Sequence, residues 1–112
     1  LADKAIHDVQ LALDEIVTNI VEYGYDDDDE HLIDIKFILN EQSLKIIIID
    51  DAKPYNILDN KDPDTSLSLD EKPIGGLGIY LVKRLMTNID YDYRDGKNHL
   101  LLTKSFTEGD IN

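Results

Sequence analysis

Apolar residues at the start of the chain recur at the spacing of an α-helix, every three or four positions between residues 4 and 23. These residues are Val9, Leu13, Ile16 and Ile20. Asp3 belongs to a residue type that caps helix N-termini, and Gly24 stands where a glycine commonly ends a helix. The pattern predicts one long amphipathic helix, followed by an acidic loop over residues 26–30.

Two strands are predicted after this loop. Residues 32–39 alternate, with Ile33, Ile35 and Phe37 on one side of the chain, which is typical of a strand. Residues 44–49 form a β-branched apolar run, which is typical of a buried strand. The intervening residues 40–43 are polar, so we expect a turn there and a β-hairpin overall.

The middle of the chain has no periodicity. Residues 50–74 contain all three prolines and many Asp, Asn and Ser residues, and a loop of this length in a small domain is usually functional. Glycines at 75, 76 and 78 then precede a predicted helix over 79–86. Two further strands, 88–93 and 99–104, are predicted around a turn at Asp95 and Gly96.

The order of these elements indicates the fold class. Helix, two strands, long loop, glycine-opened helix and two strands predict an α/β (α+β) two-layer sandwich, with a mixed, largely antiparallel sheet and helices on one face. The 112 residues suffice for a single domain, over 1–112.

Charge narrows the possible partners. The chain has 11 Lys and Arg against 24 Asp and Glu, a formal net charge of -13. Proteins that bind nucleic acids or anionic membranes carry clustered basic residues, so neither partner is expected. A protein partner with a basic surface fits this charge better, although solubility alone would explain the acidity equally well.

The location follows from what the sequence lacks. Cysteine is absent, and no signal peptide or membrane-length apolar run is visible, so a cytoplasmic location is expected.

Three short motifs carry candidate chemistry. Glu15 and Asn19 are four residues apart and share one helix face, where a carboxylate serves as a base and an amide oxygen as a Mg²⁺ ligand. Asp50 ends a buried strand and can accept a hydrogen bond from an exocyclic amino group. The glycines before the second helix suit phosphates at its N-terminus. Taken singly, each motif also fits a bland alternative: a solvated helix face, a turn initiator and a flexible helix entry.

Together, in this order, the motifs resemble the GHKL (Bergerat-fold) ATPase superfamily. The run LALDEIVTNIVEYGY is similar to its N-box, IIIDDAKPYNIL to its first glycine box, GGLGIYLVKRL to its second, and DGKNHLLLTKSF to its closing strand. The resemblance covers roughly residues 5–105 and is strongest to the bacterial anti-sigma-factor serine/threonine protein kinases.

This resemblance implies a role for each matching residue and implies ATP or ADP with Mg²⁺ as ligands. Glu15 would be the general base and Asn19 the Mg²⁺ ligand. Asp50 and Asn98 would bind adenine. Six further residues, in a lid over 51–74 and at the start of the helix after it, would bind phosphates. These are Lys61, Lys72, Gly75, Gly76, Leu77 and Gly78.

The sequence departs from the family pattern at four points. Ala52 replaces the usual glycine after the adenine-binding aspartate, which places a Cβ near the expected base. Residues 51–74 contain lysines but no arginine, and a lysine lacks the bidentate fork of an arginine. Tyr23 replaces the histidine common in the N-box of this branch. The family normally has a strand and a helix before the N-box helix, and this sequence begins almost at that helix, so we expect either that the N-terminus is lost or that the sequence is a fragment of what folds. Without those elements one face of the core would be uncovered.

Several functions remain in competition. The leading one is a Mg²⁺-ATP-dependent serine/threonine kinase that phosphorylates or sequesters a STAS-type antagonist or a sigma factor; a homodimer is one expectation. The alternative is a non-catalytic module that binds nucleotide or protein. A sensor histidine kinase ranks lower, because no dimerisation helix with a phospho-acceptor histidine precedes the N-box. The three scattered histidines do not suggest a metal site, and Ser66 and Ser68 are read as plain loop residues.

Overall fold

The computed structural model describes residues 3–60 and 76–107. The helices are α1 (Asp3–Tyr23) and α2 (Gly76–Leu85), with a short 3₁₀ helix at Ile57–Asp59. The strands are β1 (Ile33–Leu39), β2 (Ser43–Asp50), β3 (Asn88–Arg94) and β4 (Lys97–Ser105). The predicted order is confirmed, but the predicted start of the second helix at residue 79 is wrong: α2 begins at Gly76, so Gly76 and Gly78 lie inside it.

The four strands form one antiparallel sheet in the order β1-β2-β4-β3. The expected parallel component is therefore not found among the described strands. The β3–β4 hairpin turns at Asp95 and Gly96, whose φ angles are 55° and 73°, as a two-residue hairpin turn with both φ angles positive requires. Pairing of β2 with β4 places Asp50 opposite Asn98, although the two residues are far apart in sequence.

The two helices pack against one face of the sheet, which confirms the α+β two-layer sandwich. The core between the layers is apolar because α1 and α2 each present one hydrophobic stripe to the inward-facing residues of β2 and β4. The buried core residues are Val9, Ala12, Ile16, Leu44, Ile46, Ile48, Ile57, Ile79, Val82, Met86, Leu100 and Leu102. Neither described helix is long and apolar enough to span a membrane.

A lysine on β4 holds the two helices together at the end of α1 remote from Asp50. The Lys104 Nζ donates to the Leu85 carbonyl at 3.0 Å and lies 3.6 Å from the Asp8 carboxylate. Asp8 is buried and also bonds the Lys4 Nζ at 3.0 Å. A buried carboxylate needs such partners, and here they tie α1, α2 and β4 to one another.

Strand β1 extends the inner face of the sheet beyond the helices. Phe37 pairs with Ile46 and Leu39 with Leu44, and both partners on β2 are buried. Phe37 and Leu39 themselves are 56% and 63% exposed. The inner face of β1 is therefore exposed at these two positions.

Candidate functional site

The carboxylate of Asp50 is buried at the end of β2, with 5% of the residue exposed. Its Oδ1 accepts hydrogen bonds from the Ala52 backbone N–H at 3.0 Å and from the Asn98 Nδ2 at 2.9 Å. The first of these closes a turn of the kind that aspartate favours at strand ends. Among the described residues no donor reaches Oδ2, so one carboxylate oxygen is available to a ligand.

Asp50 lines the larger of two neighbouring cavities, with a volume of about 350 Å³. Its walls are mostly apolar and aromatic, as is usual for a site that takes a flat organic ligand. The lining residues are Asn19, Ile20, Tyr23, Gly24, Asp50, Ala52, Lys53, Pro54, Tyr55, Ile57, Tyr91, Asn98 and Leu100. Asp50 is the one acidic side chain in this described lining, and it is therefore placed to select a ligand that donates a hydrogen bond.

The smaller cavity, of about 90 Å³, lies between α1 and α2. Its described lining consists of Glu15, Thr18, Asn19, Glu22, Tyr23, Gly78 and Ile79. Asn19 and Tyr23 line both cavities. The two cavities therefore adjoin along α1 and are together called the cleft here, with Asp50 in the lining of the larger and Glu15 in that of the smaller. Glu15 and Asn19 both line the smaller cavity, as two residues on one helix face can.

Gly78 lies directly against the Glu15 side chain. A Cβ built on Gly78 would be 2.1 Å from the Glu15 Oε2 and 3.0 Å from its Cδ. No larger residue fits at position 78 while Glu15 keeps this position. The glycine thus allows α2 to pack closely on the Glu15 carboxylate. This packing role is separate from the phosphate contact that the sequence predicts for Gly78.

The methyl group of Ala52 packs against Gly24. A Cβ built on Gly24 would be 2.7 Å from the Ala52 Cβ and 2.6 Å from the Ile20 carbonyl oxygen. The backbones are also joined, since the Lys53 N–H donates to the Gly24 carbonyl at 3.1 Å. The methyl group of Ala52 therefore has room because the residue beside it, Gly24, has no side chain. Ala52 is buried in the wall of the larger cavity, with 5% of the residue exposed.

A cluster of four side chains joins the loop after α1 to the end of β2; it is called the histidine clamp here and consists of Tyr25, Asp27, His31 and Asp51. The His31 ring stacks on Tyr25 with centroids 3.8 Å apart. Its Nε2 lies 2.7 Å from Asp27 and its Nδ1 3.3 Å from Asp51. The Tyr25 hydroxyl donates to Asp51 at 2.9 Å. Sequence reasoning missed this cluster, because Asp51 lies 20 residues beyond His31 in the chain.

The clamp shifts the acid–base behaviour of its members. The hydrogen bond to Asp27 is the main cause that raises the pKa of His31, and the bond to Asp51 adds to it. The hydrogen bond from Tyr25 is the main cause that lowers the pKa of Asp51. The hydrogen bond to His31 likewise lowers the pKa of Asp27. The imidazole thus lies between two carboxylates, Asp27 and Asp51, and both favour its protonated form.

The other predicted phosphate-binding residues are only partly placed. Lys61, Lys72 and Gly75 lie outside the described residues, as do Ser66 and Ser68. Gly76 and Leu77 form the start of α2. The cleft therefore brings together Glu15, Asn19, Asp50, Asn98 and Gly78, and the predicted contacts of the lid stay predictions.

The oxygen atoms that line the smaller cavity are of the type that Mg²⁺ prefers. Within residues 3–60 and 76–107, no group of three or more His, Asp and Glu side chains is arranged as a metal site. Mg²⁺ that is bound with a nucleotide needs only one or two protein oxygens, because phosphates and water supply the rest. The Asn19 amide, beside the carboxylates of Glu15 and Glu22 in the smaller cavity, meets this requirement.

Comparison with known proteins places the cleft in context. Residues 1–104 match the profile of the family described as histidine kinase-like ATPase domain. The chain is 25% identical over 112 residues to the serine-protein kinase RsbW of Listeria monocytogenes serotype 4a (strain HCC23), a match that covers 96% of this chain and 71% of that protein.

Two relatives from Bacillus are similar at slightly higher identity. The serine-protein kinase RsbW of Bacillus subtilis (strain 168) is 30% identical over 96 residues, which are 81% of this chain and 59% of that protein. The RsbW of Bacillus mycoides (strain KBAB4) is 32% identical over 103 residues, which are 88% of this chain and 63% of that protein. The matched segment in each Bacillus relative is less than two thirds of its length.

Proposed function

The chain belongs to the histidine kinase-like ATPase domain family, and on that premise we propose that it binds Mg²⁺-ATP in the cleft and phosphorylates a partner protein on serine or threonine. The observation that carries the proposal is that the cavity lined by Asp50 and the cavity lined by Glu15 adjoin at Asn19. The residues proposed to bind adenine, Mg²⁺ and the acceptor hydroxyl (Asp50, Asn19 and Glu15) line the cleft in the order in which a nucleotide presents its base, phosphates and reacting group.

The larger cavity supports adenine binding. A carboxylate accepts hydrogen bonds and donates none, so Asp50 Oδ2 accepts a bond from the exocyclic amino group of adenine. The aromatic and aliphatic walls, with Tyr55 and Ile57 among them, remove the flat faces of the base from water. Ala52 is compatible with this proposal because its methyl group lies against Gly24.

The smaller cavity and the first turn of α2 support phosphate binding. Backbone N–H groups at a helix N-terminus attract phosphate, and Gly78 and Ile79 of α2 line this cavity. Asn19 would hold Mg²⁺, which neutralises phosphate charge during transfer. This local help is needed because the chain as a whole has a net charge of -13.

Glu15 is proposed as the general base. It orients the hydroxyl group of the acceptor serine or threonine and takes its proton as the oxygen attacks the terminal phosphorus, while the bond to ADP breaks. The products are a phosphoserine or phosphothreonine on the partner and ADP. Gly78 supports this role because it lets α2 pack directly against the Glu15 carboxylate.

The partner is proposed to be a STAS-type antagonist or a sigma factor, and the protein an anti-sigma regulator that phosphorylates or sequesters it. The similarity to proteins named serine-protein kinase RsbW supports this assignment. The negative charge supports a basic surface on the partner. A homodimer is part of the same proposal.

A non-catalytic regulator is the second candidate. The observation that favours it is the absence of arginine from residues 51–74, since an arginine at the terminal phosphate accelerates phosphoryl transfer in many enzymes. In that case the nucleotide would control association alone.

A phosphotransfer assay on Glu15→Gln tests the catalytic proposal. The protein is incubated with γ-labelled ATP, Mg²⁺ and each STAS-domain protein and sigma factor encoded in the same genome. Loss of general base catalysis typically lowers the rate by about 10²–10⁴-fold, while nucleotide affinity should change little. The matched control is Asp14→Asn, an exposed neighbour on α1 that does not line either cavity.

Each outcome separates the candidates. Transfer to one of these proteins that is lost in Glu15→Gln and kept in Asp14→Asn supports the kinase. Transfer that is equal in wild type and Glu15→Gln contradicts the role of Glu15. Nucleotide binding without any transfer favours the non-catalytic regulator.

A further inference from the structure

Asn98 on β4 is buried directly beneath the candidate base site, with 5% of its surface exposed. Its Nδ2 lies 2.9 Å from Asp50 Oδ1, 3.0 Å from the Lys53 carbonyl oxygen and 3.2 Å from the Ala52 carbonyl oxygen. The Asn98 amide thus donates to the Asp50 carboxylate and to the carbonyl oxygens of two residues near the start of the 51–74 segment.

The oxygen of the same amide is equally occupied. The Tyr55 backbone N–H donates to Asn98 Oδ1 at 3.0 Å, and the Tyr91 hydroxyl donates to it as well. These partners fix the orientation of the amide, because a backbone N–H only donates and a carboxylate and carbonyls accept. The reverse orientation would place donor against donor and acceptor against acceptor.

The contacts leave Asn98 no capacity for a ligand. A primary amide has two N–H groups and an oxygen with two lone pairs. Three acceptors face the two N–H groups and two donors face the oxygen. A base in the larger cavity would have to displace an internal bond to reach this amide, although Asn98 lines that cavity.

We propose that Asn98 is a positioning residue that sets base specificity through Asp50. The amide holds Oδ1 and thereby leaves Oδ2 as the carboxylate oxygen that faces the amino group of adenine. This inference rests on the proposed nucleotide site, and it replaces a direct contact of Asn98 with adenine by an indirect one. A fixed acceptor discriminates better than a mobile one, because no free energy is spent on reorienting it when the ligand binds.

Asn98 also anchors the segment that follows Asp50. It bonds the backbone of Ala52, Lys53 and Tyr55, and these residues form one wall of the larger cavity. The backbone groups of a loop need partners when water is excluded, and one amide supplies three of them here. The Asp50 carboxylate and this wall of the larger cavity are therefore held at a fixed distance from each other.

Base discrimination measures this role more specifically than affinity alone. The dissociation constants of Mg²⁺-ADP and Mg²⁺-IDP are measured by calorimetry for wild type, Asn98→Asp and Asn98→Ala. IDP carries an oxygen in place of the amino group of adenine, so it cannot donate there to Asp50. Asn98→Asp keeps the size and the acceptor of the side chain but replaces its donor by an oxygen that faces Asp50 and two carbonyls.

We expect Asn98→Asp to weaken ADP binding at least about tenfold, as is usual for the loss of a hydrogen bond to a charged group. IDP binding should change by less than about threefold, so that the preference for ADP collapses. Asn98→Ala should lower the preference in the same direction, and it serves as the readout if Asn98→Asp does not fold. The matched control, Leu102→Val, loosens the core on the same face of β4 and should keep the preference of the wild type.

The outcomes distinguish this inference from the proposed function. A wild type that binds neither nucleotide overturns the nucleotide site itself. A wild type that prefers ADP, together with folded Asn98 variants that keep this preference, overturns the positioning role. Equal weakening of ADP and IDP in the Asn98 variants also overturns it, because that result describes a purely structural residue.

Discussion

Gly24 and Ala52 are packed so closely that a side chain at position 24 would collide with the methyl group of Ala52. A Cβ on Gly24 would stand 2.7 Å from the Ala52 Cβ, well inside the normal contact distance of two carbon atoms. The pair joins the end of α1 to the wall of the larger cavity, so the residue at position 24 determines whether alanine is tolerated at 52.

A double-mutant cycle on this pair should show strong coupling. Gly24→Ala should destabilise the fold by about 1–3 kcal/mol, the usual cost of overpacking a filled site. Ala52→Gly should cost about 1 kcal/mol, since it removes a buried methyl group. The double variant should be more stable than the sum of the single effects by about 1 kcal/mol. Urea unfolding of the four proteins measures this, and strict additivity would contradict the contact.

Gly78→Ala should separate stability from catalysis. Alanine is a better helix former than glycine by about 1 kcal/mol, and the clash is with the flexible end of Glu15. The melting temperature should therefore stay the same or rise, whereas phosphotransfer should fall at least about tenfold as Glu15 is displaced. Thermal unfolding and the labelled-ATP assay on the same samples test this. A variant that unfolds readily yet keeps full specific activity would show that Gly78 does not position Glu15.

His31 should make stability depend on pH around neutrality. Its pKa is raised above the ordinary value by hydrogen bonds to Asp27 and Asp51. A group whose pKa is raised by folding stabilises the fold fully below its unfolded value, about 6.5 for histidine. This contribution is lost as the pH rises through the folded value. The melting-temperature difference between wild type and His31→Gln should therefore be largest near pH 6 and shrink toward pH 9.

The acids of the clamp titrate in a different range. The pKa values of Asp27 and Asp51 are lowered, so their contribution is present above the ordinary range of a carboxylate and is lost only in acid. They stay ionised between pH 6 and pH 9, and the change in that window belongs to His31. His7→Gln is the matched control, because it removes an exposed histidine of α1 outside the clamp. A pH-independent difference for His31→Gln would contradict the ion pairs.

Local patterns in the sequence were sufficient to predict most of the fold. The spacing of Val9 and Ile16 gave α1, and the Asp95–Gly96 pair gave the β3–β4 turn, because helix periodicity and turn chemistry act within a few residues. The start of α2 was misplaced, since glycines were expected to lie before the helix. Gly78 lies in the first turn of the helix, where the low helix propensity of a glycine did not prevent helix formation.

Local patterns could not predict the contacts of the cleft between residues that are far apart in sequence. Asp50 and Glu15 were identified by motif, but four of the five hydrogen bonds of Asn98 join residues 43 to 48 positions away, which only the pairing of β2 with β4 brings together. The histidine clamp likewise unites residues from two segments that no periodicity links. The packing of Ala52 against Gly24 was also not predicted, because the sequence alone does not show which way a methyl group points.

The central claim is that the cleft binds a nucleotide through Asp50, and thermal unfolding with and without Mg²⁺-ADP tests it most directly. A ligand at 100 times its dissociation constant stabilises a protein by about 2.7 kcal/mol, which for a small domain corresponds to a shift of roughly 10 °C or more. We predict such a shift for the wild type and for the exposed control Asp34→Asn, and its loss in Asp50→Asn and Asn19→Ala. A folded wild type with no shift at millimolar Mg²⁺-ADP, or an equal shift in Asp50→Asn, would contradict the claim.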